Sequence, residues 1–138
     1  VELVWPIRQS FVDYVEQLDG VIATSPDVAR TNEGFVFQGD AREGGLRFAG
    51  SVSFTAHEGM LDLTISDPEL ILSTPSAGTL SITVRGAREI LATLAMVKNR
   101  SISRHARPVL TVSGARLFHG GYQPGDPLDD LEVRGALH

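Results

Sequence analysis

The feature that most constrains this chain is a run of strict alternation near its middle. Leu46, Phe48, Val52, Phe54 and Ala56 share one parity, and Arg47, Ser51, Ser53, Thr55 and His57 share the other. A period of two gives an extended strand one apolar and one polar face, the signature of a half-buried antiparallel sheet. Gly50 breaks the apolar face and predicts a bulge or a close backbone approach. Glu58-Gly59 then turns the chain. Leu61, Leu63 and Ile65 alternate again with Asp62 and Thr64, which predicts a hairpin partner ending at Asp67-Pro68.

The opening segment has a different period. Ile7, Phe11, Tyr14, Val15 and Leu18 fall at helical spacing, with Pro6 suited to the first helical position and Gly20 to the stop. Ser10 and Tyr14 lie one turn apart on the same face of that helix. The rest reads as short strands: Val21–Thr24, Phe35–Phe37 after an Asn32-Glu33-Gly34 turn, Glu69–Thr74, Thr79–Val84, Glu89–Val97 and Val109–Val112. Leu117-Phe118 and Leu131–Val133 are shorter ones. His119-Gly120-Gly121 and Gln123-Pro124-Gly125 read as loops. The expected fold is mainly β, with β-sandwich-like antiparallel sheets or one curled sheet and the N-terminal α-helix packed on it. A length of 138 residues suits a single domain over 1–138.

Composition narrows the chemistry. With no cysteine, disulfides and thiolate-bound zinc are excluded. A formal net charge of −5 argues against nucleic acid as a partner. Lys98, Arg100, Arg104 and Arg107 gather in one segment, read as a solvated loop or as a surface for an anionic ligand. No apolar run is long enough to span a membrane. The N-terminus lacks the layout of a signal peptide, which leaves the compartment open. Glu58, Asp62 and Asp67 have no spacing that pairs them for catalysis. Nucleophile, phosphate-loop and zinc-helix motifs are missing, so an enzyme is not expected.

Three stretches carry a family pattern. The first is Trp5-Pro6-Ile7-Arg8-Gln9-Ser10-Phe11-Val12-Asp13-Tyr14-Val15, with its Ser-Phe-x-x-Tyr core. The second runs Leu46-Arg47-Phe48-Ala49-Gly50-Ser51-Val52-Ser53-Phe54-Thr55-Ala56-His57-Glu58-Gly59-Met60-Leu61-Asp62-Leu63 and on to Asp67-Pro68. The third is Phe118-His119-Gly120-Gly121-Tyr122-Gln123-Pro124-Gly125, followed by Leu128-Asp129. In this order they resemble the HtaA family, the haem-binding conserved-region domain of actinobacterial haem-uptake proteins. Gly121 stands where an aromatic or apolar residue is expected, which bears on the distal lining of a haem pocket. Pro6 stands where a small residue is usual.

The resemblance implies a haem-binding domain of the bacterial surface, extracellular or anchored to the cell, with ferric haem b as its ligand. It implies Tyr14 as the axial ligand to the haem iron, His57 as the pocket residue supporting that tyrosine, and Ser10 close to the haem. Tyr122 is a candidate second pocket aromatic. Haemoglobin and other haem-uptake proteins are then the expected exchange partners, and a homodimer is one form the domain could take. The chemistry is coherent on its own terms. Ferric iron is a hard cation, and a phenolate oxygen is a hard anionic ligand known for haem. A free phenol ionises near pH 10, so the iron's charge, helped by an imidazole N–H, must favour the anion.

Without the resemblance, the same residues read more plainly. Tyr14 would be a core tyrosine on an apolar helix stripe, His57 an exposed or capping histidine, Ser10 an ordinary helix residue, and Tyr122 a loop tyrosine covering the core. His105, His119 and His138 have no assigned role. Among the phenylalanines, parity sends Phe48 and Phe54 into the sheet packing, away from any porphyrin. Ser10 and the basic segment are the candidates for its propionate end. The competing function is a β-sandwich adhesion or carbohydrate-binding module without haem, which would need exposed aromatic platforms.

Overall fold

The computed structural model describes residues 1–99 and 103–135. Its strands are β1 (Glu2–Trp5), β2 (Val21–Thr24), β3 (Ala29–Thr31), β4 (Gly34–Arg42), β5 (Gly45–Ala49), β6 (Ser51–Ala56), β7 (Leu61–Ser66), β8 (Glu69–Thr74), β9 (Ala77–Val84), β10 (Ala87–Asn99), β11 (Ser103–Leu110) and β12 (Leu131–Arg134). Two helices accompany them, α1 (Gln9–Gln17) and α2 (Val112–Leu117).

The main sheet has nine strands in the order β1-β12-β11-β10-β9-β8-β5-β4-β3, every neighbouring pair antiparallel. β1 also pairs with β4, through Leu3↔Phe37 and Trp5↔Phe35. That pairing closes eight of the strands into a barrel and leaves β3 outside as an appendage of β4. A closed sheet has no free edges. The remaining strands form a three-stranded sheet, β2-β6-β7. The mainly β expectation, with the N-terminal helix packed on a sheet, is borne out; the larger sheet curls fully round on itself.

The central alternation is the joint between the two sheets. Leu46–Ala56 is two strands, with β5 in the barrel and β6 in the smaller sheet. They part at Gly50, whose φ of 113° is open only to glycine and whose Cβ would fall 2.4 Å from Val28 Cγ2. Asp67 holds the joint from the facing chain: its carboxylate accepts from Gly50 N at 3.0 Å, and its own N–H donates to Gly50 O at 2.8 Å.

The helix starts later than its period suggests. Ile7 sits at φ 66°, a strained value for a β-branched residue, and it turns the chain out of β1 so that helical geometry begins at Gln9 and Pro6 stays outside. Burial holds Ile7 there. The helix N-terminus is capped from afar by Asp129, whose carboxylate accepts from Gln9 N at 2.7 Å. At the other end the left-handed residue is Asp19, φ 56°. Gly20 is needed for a different reason: a Cβ there would meet Thr55 O at 2.7 Å.

The C-terminal third corrects two expectations. Residues 103–110 are the barrel strand β11, so the segment holding Arg104 and Arg107 is no solvated loop. Arg107 points outward and forms a two-pronged pair with Asp130 at 2.9 and 3.2 Å, while Arg104 shares the inward parity of Ala106 and Leu110. Val112 to Leu117, expected as strand ends, is the helix α2, started by Thr111, whose hydroxyl accepts from Gly114 N at 3.0 Å. Its close seat on β10 requires Gly114, since a Cβ would fall 2.0 Å from Leu91 O. β1 and β3, of four and three residues, offered too few alternating positions to be read as strands. Arg100, His138 and the Lys98 side chain lie outside the described residues.

Candidate haem-binding groove

The two helices leave the barrel at the same end. α1 follows β1 past Trp5, and α2 follows β11 past Leu110. Between them and the start of β7 lies an apolar groove of about 410 Å³. Phe11 and Tyr14 of α1 form one wall; Phe118, His119, Gly121 and Tyr122 form the other, and Leu61 closes the floor.

The walls are built around one ring. Phe11 meets Phe54 and Phe118 edge-on, both at 5.1 Å between centroids, and approaches Tyr122 at 6.2 Å. Phe118 and Tyr122 are themselves edge-on at 5.1 Å. Each such pair adds about 0.5–1.5 kcal/mol beyond area burial. Phe11, Phe54 and Phe118-Tyr122 come from the first, second and third motif stretches respectively. Polar bonds tie the first and third together as well. Asp129 accepts from Gln9 N, donates to Ile7 O at 2.9 Å, and receives the Trp5 indole N–H on its carbonyl at 2.9 Å.

Tyr14 is not a core residue. It is 47% exposed, although Phe11 one turn earlier and Val15 beside it are buried. Its ring borders the groove, and Met60, 81% exposed, adds an apolar side chain in the turn before Leu61. Tyr122 lies across the groove and is partly buried against the core. Arg8 covers its far face, with the guanidinium 5.7 Å from the ring centroid. The same guanidinium donates to Ser10 Oγ at 3.1 Å and to Pro127 O at 2.9 Å. Ser10 is exposed one turn before Tyr14 and joins it to Tyr122 through Arg8.

His57 is exposed and lies in the β6–β7 turn, three residues before Met60, outside the groove lining. That turn is conformationally costly: His57, Glu58 and Gly59 take φ of 53°, 56° and 91° in succession. The imidazole that does line the groove is His119, to which no role was given; its Nε2 is 3.0 Å from Asp62 O. Its place inside the Phe118–Tyr122 stretch was the available signal, and its φ of 54° reverses the chain so that the ring faces β7. Phe48 and Phe54 are fully buried in packing and line no part of the groove, as parity indicated. Neither Arg104 nor Arg107 borders the groove, which removes the basic segment from the propionate end.

A hard oxygen donor, three further aromatic rings, an imidazole and, among the described residues, no carboxylate in the lining make a site suited to a flat apolar group carrying a hard metal. The chain is similar to the C-terminal domain of HtaA from Corynebacterium glutamicum, at 26% identity and TM-score 0.80, covering 95% of this chain and 92% of that one. The heme binding protein HtaB of the same organism shares the fold at 19% identity and TM-score 0.83, covering 97% and 91%. The N-terminal domain of HtaA does so at 23% and 0.78, covering 99% and 97%. No curated protein matches the sequence. The family model HtaA (Htaa) matches residues 1–134, nearly the whole chain, and this protein therefore belongs to the HtaA family.

Proposed function

We propose that this domain binds ferric haem b in the α1–α2 groove, with the Tyr14 phenolate as axial ligand. The observation that carries the reading is the placement of Tyr14: a half-exposed phenol at the edge of the helix's buried face, opening into an aromatic-walled groove. Family membership and the relative described as a heme binding protein support haem as the ligand. The three motif stretches meet around Phe11 beside this groove.

The residues present fit the group. Phe11, Phe118 and Leu61 supply the apolar surface that a macrocycle buries, and Tyr14 supplies the oxygen. Haem brings a ferric charge that favours phenolate over phenol, and an imidazole N–H directed at that oxygen favours it further. His57 has that role in this reading. Ser10, held by Arg8 at the exposed edge, serves the propionate end. Gly121 offers no side chain, so the distal side is open and the site exchanges its ligand readily. Such a site suits capture and hand-over at the bacterial surface, with haemoglobin or another haem-uptake protein as donor or acceptor, more than permanent storage. The adhesion reading has less support: among the described residues, Tyr14 is the one aromatic among the exposed large apolar side chains, and one ring is no platform.

The test is a hemin titration of the purified domain followed by absorption. Saturable one-to-one uptake with a Soret band is expected, weakened more than about 100-fold in Tyr14→Ala, beyond the usual cost of removing a supporting residue. Absence of a saturable site removes the proposal.

A further inference from the structure

The barrel has a second opening at the end away from the helices. There β4 turns into β5 through Arg42, Glu43 and Gly44, and β11 begins at Ser103. Inside that mouth lies a cavity of about 330 Å³, walled by Leu70, Leu72, Leu94, Met96 and Ala106. Two arginines border this aliphatic lining, Arg42 and Arg104, and Arg42 is already paired with Asp40. Arg104 lies on the inward parity of β11, lines the cavity, and its Nε is buried with no hydrogen-bond partner. No carboxylate among the described residues pairs with it. The neighbouring cations are engaged: Arg42 with Asp40 at 3.0 Å, Arg107 with Asp130 and Arg134 with Glu33 and Glu132.

A guanidinium has five donors and no way to become neutral, so a buried donor without an acceptor is costly and rare. An eight-stranded barrel is just wide enough to be filled by side chains or to hold one small ligand. We infer that the barrel mouth is a binding site for a medium-chain aliphatic carboxylate, with the acid group on Arg104 and the chain between Leu70, Leu72, Leu94 and Met96. One guanidinium balances one carboxylate. A phosphate monoester would leave negative charge uncompensated against aliphatic walls. The cavity shares no lining residue with the helix groove and lies at the opposite end of the barrel, so the two sites are distinct.

Calorimetry with decanoate, below its micelle concentration, tests the assignment. The domain with and without bound hemin should take up one equivalent with the same affinity. Decanol should bind at least about 10-fold more weakly, and Arg104→Gln should lower decanoate affinity by about 10- to 100-fold, the loss of a charge-assisted bond. Shift changes on decanoate addition to the wild-type domain should concentrate on the methyl groups of Leu70, Leu94 and Ala106, a readout independent of whether the variant folds. No saturable binding, equal affinity in folded Arg104→Gln, tighter binding of decyl phosphate, or displacement of decanoate by hemin would each overturn the inference.

Discussion

The two ends of the barrel hold apolar recesses of similar size, yet they are built by opposite means. At the mouth lined by Arg104, strand ladders with bulges beside Leu72 and Met96 form the walls, and the turn between β4 and β5 leaves its left-handed position to Gly44, φ 84°, which adopts it without strain. At the helix end, left-handed positions fall to Ile7, His57, Glu58 and His119, residues with side chains that resist them. Each such position costs of the order of 1–3 kcal/mol and persists only where the surroundings over-determine it. The surroundings here are the Phe11 aromatic cluster and the Asp129 bonds. Strain collects at the end where rings and imidazoles must face one groove, and is avoided at the end where aliphatic strands suffice.

That contrast can be sharpened at the imidazoles first, where the expected effect is largest. His57 stands in the strained turn and His119 in the groove lining. His57→Ala should weaken hemin binding by about 10- to 100-fold, the usual cost of removing a residue that supports a ligand. His119→Ala should change it less. The reverse order, read in the same titration, would transfer the supporting role to His119. Neither change should alter decanoate binding at the other end.

Packing at the helix end is tested next. Gly114→Ala forces a methyl against Leu91 O and should lower stability by about 1–3 kcal/mol in urea unfolding. Because α2 leads directly into Phe118, hemin affinity should fall with it. Unchanged stability would mean that α2 is not seated on β10 as described.

Gly121→Val adds the apolar side chain missing from the distal wall. Nothing but Phe118 O, at 3.4 Å, stands near the new Cβ. Haem release into an apo-globin acceptor should slow by about 3- to 10-fold. Faster release would show that the open side is not where the ligand lies.

The smallest effect belongs to the barrel mouth. Hydrogen bonding from Arg134, aided by Ser103, holds the Glu132 carboxyl below its ordinary value of 4.5. A depressed carboxylate stabilises the fold above that value, and the contribution is lost as pH falls through the folded one. Arg134→Met should therefore lower Tm by about 1–3 °C at neutral pH. Thermal melts should show that gap closing as the buffer is taken below pH 4.5. A gap independent of pH would assign the loss to packing.

How far the sequence reveals all this varies by element. β6 and β7 carry enough alternating positions to be legible, and β2 and β8 have the bounds their sequence predicts. β1 and β3 are too short, and α2 hides behind the β-branched Val109, Thr111 and Val112 ahead of a glycine that tertiary contact with Leu91 requires. Barrel closure rests on β1 pairing with both β12 and β4, a long-range fact that no local pattern encodes. Within the groove, Tyr14 and Tyr122 could be named from the motifs. That His119 lines it, and that Arg104 points inward at the far end, depends on strand parity and on a left-handed turn that become readable only once the chain is folded.

The most direct test of the central claim is resonance Raman spectroscopy of the hemin-loaded domain, excited in the phenolate-to-iron charge-transfer band. Iron–phenolate vibrations should be present in the wild type, persist in Tyr122→Phe, and vanish in Tyr14→Phe. Their survival in Tyr14→Phe, or their absence from a wild-type domain that holds hemin, would contradict Tyr14 as the ligand.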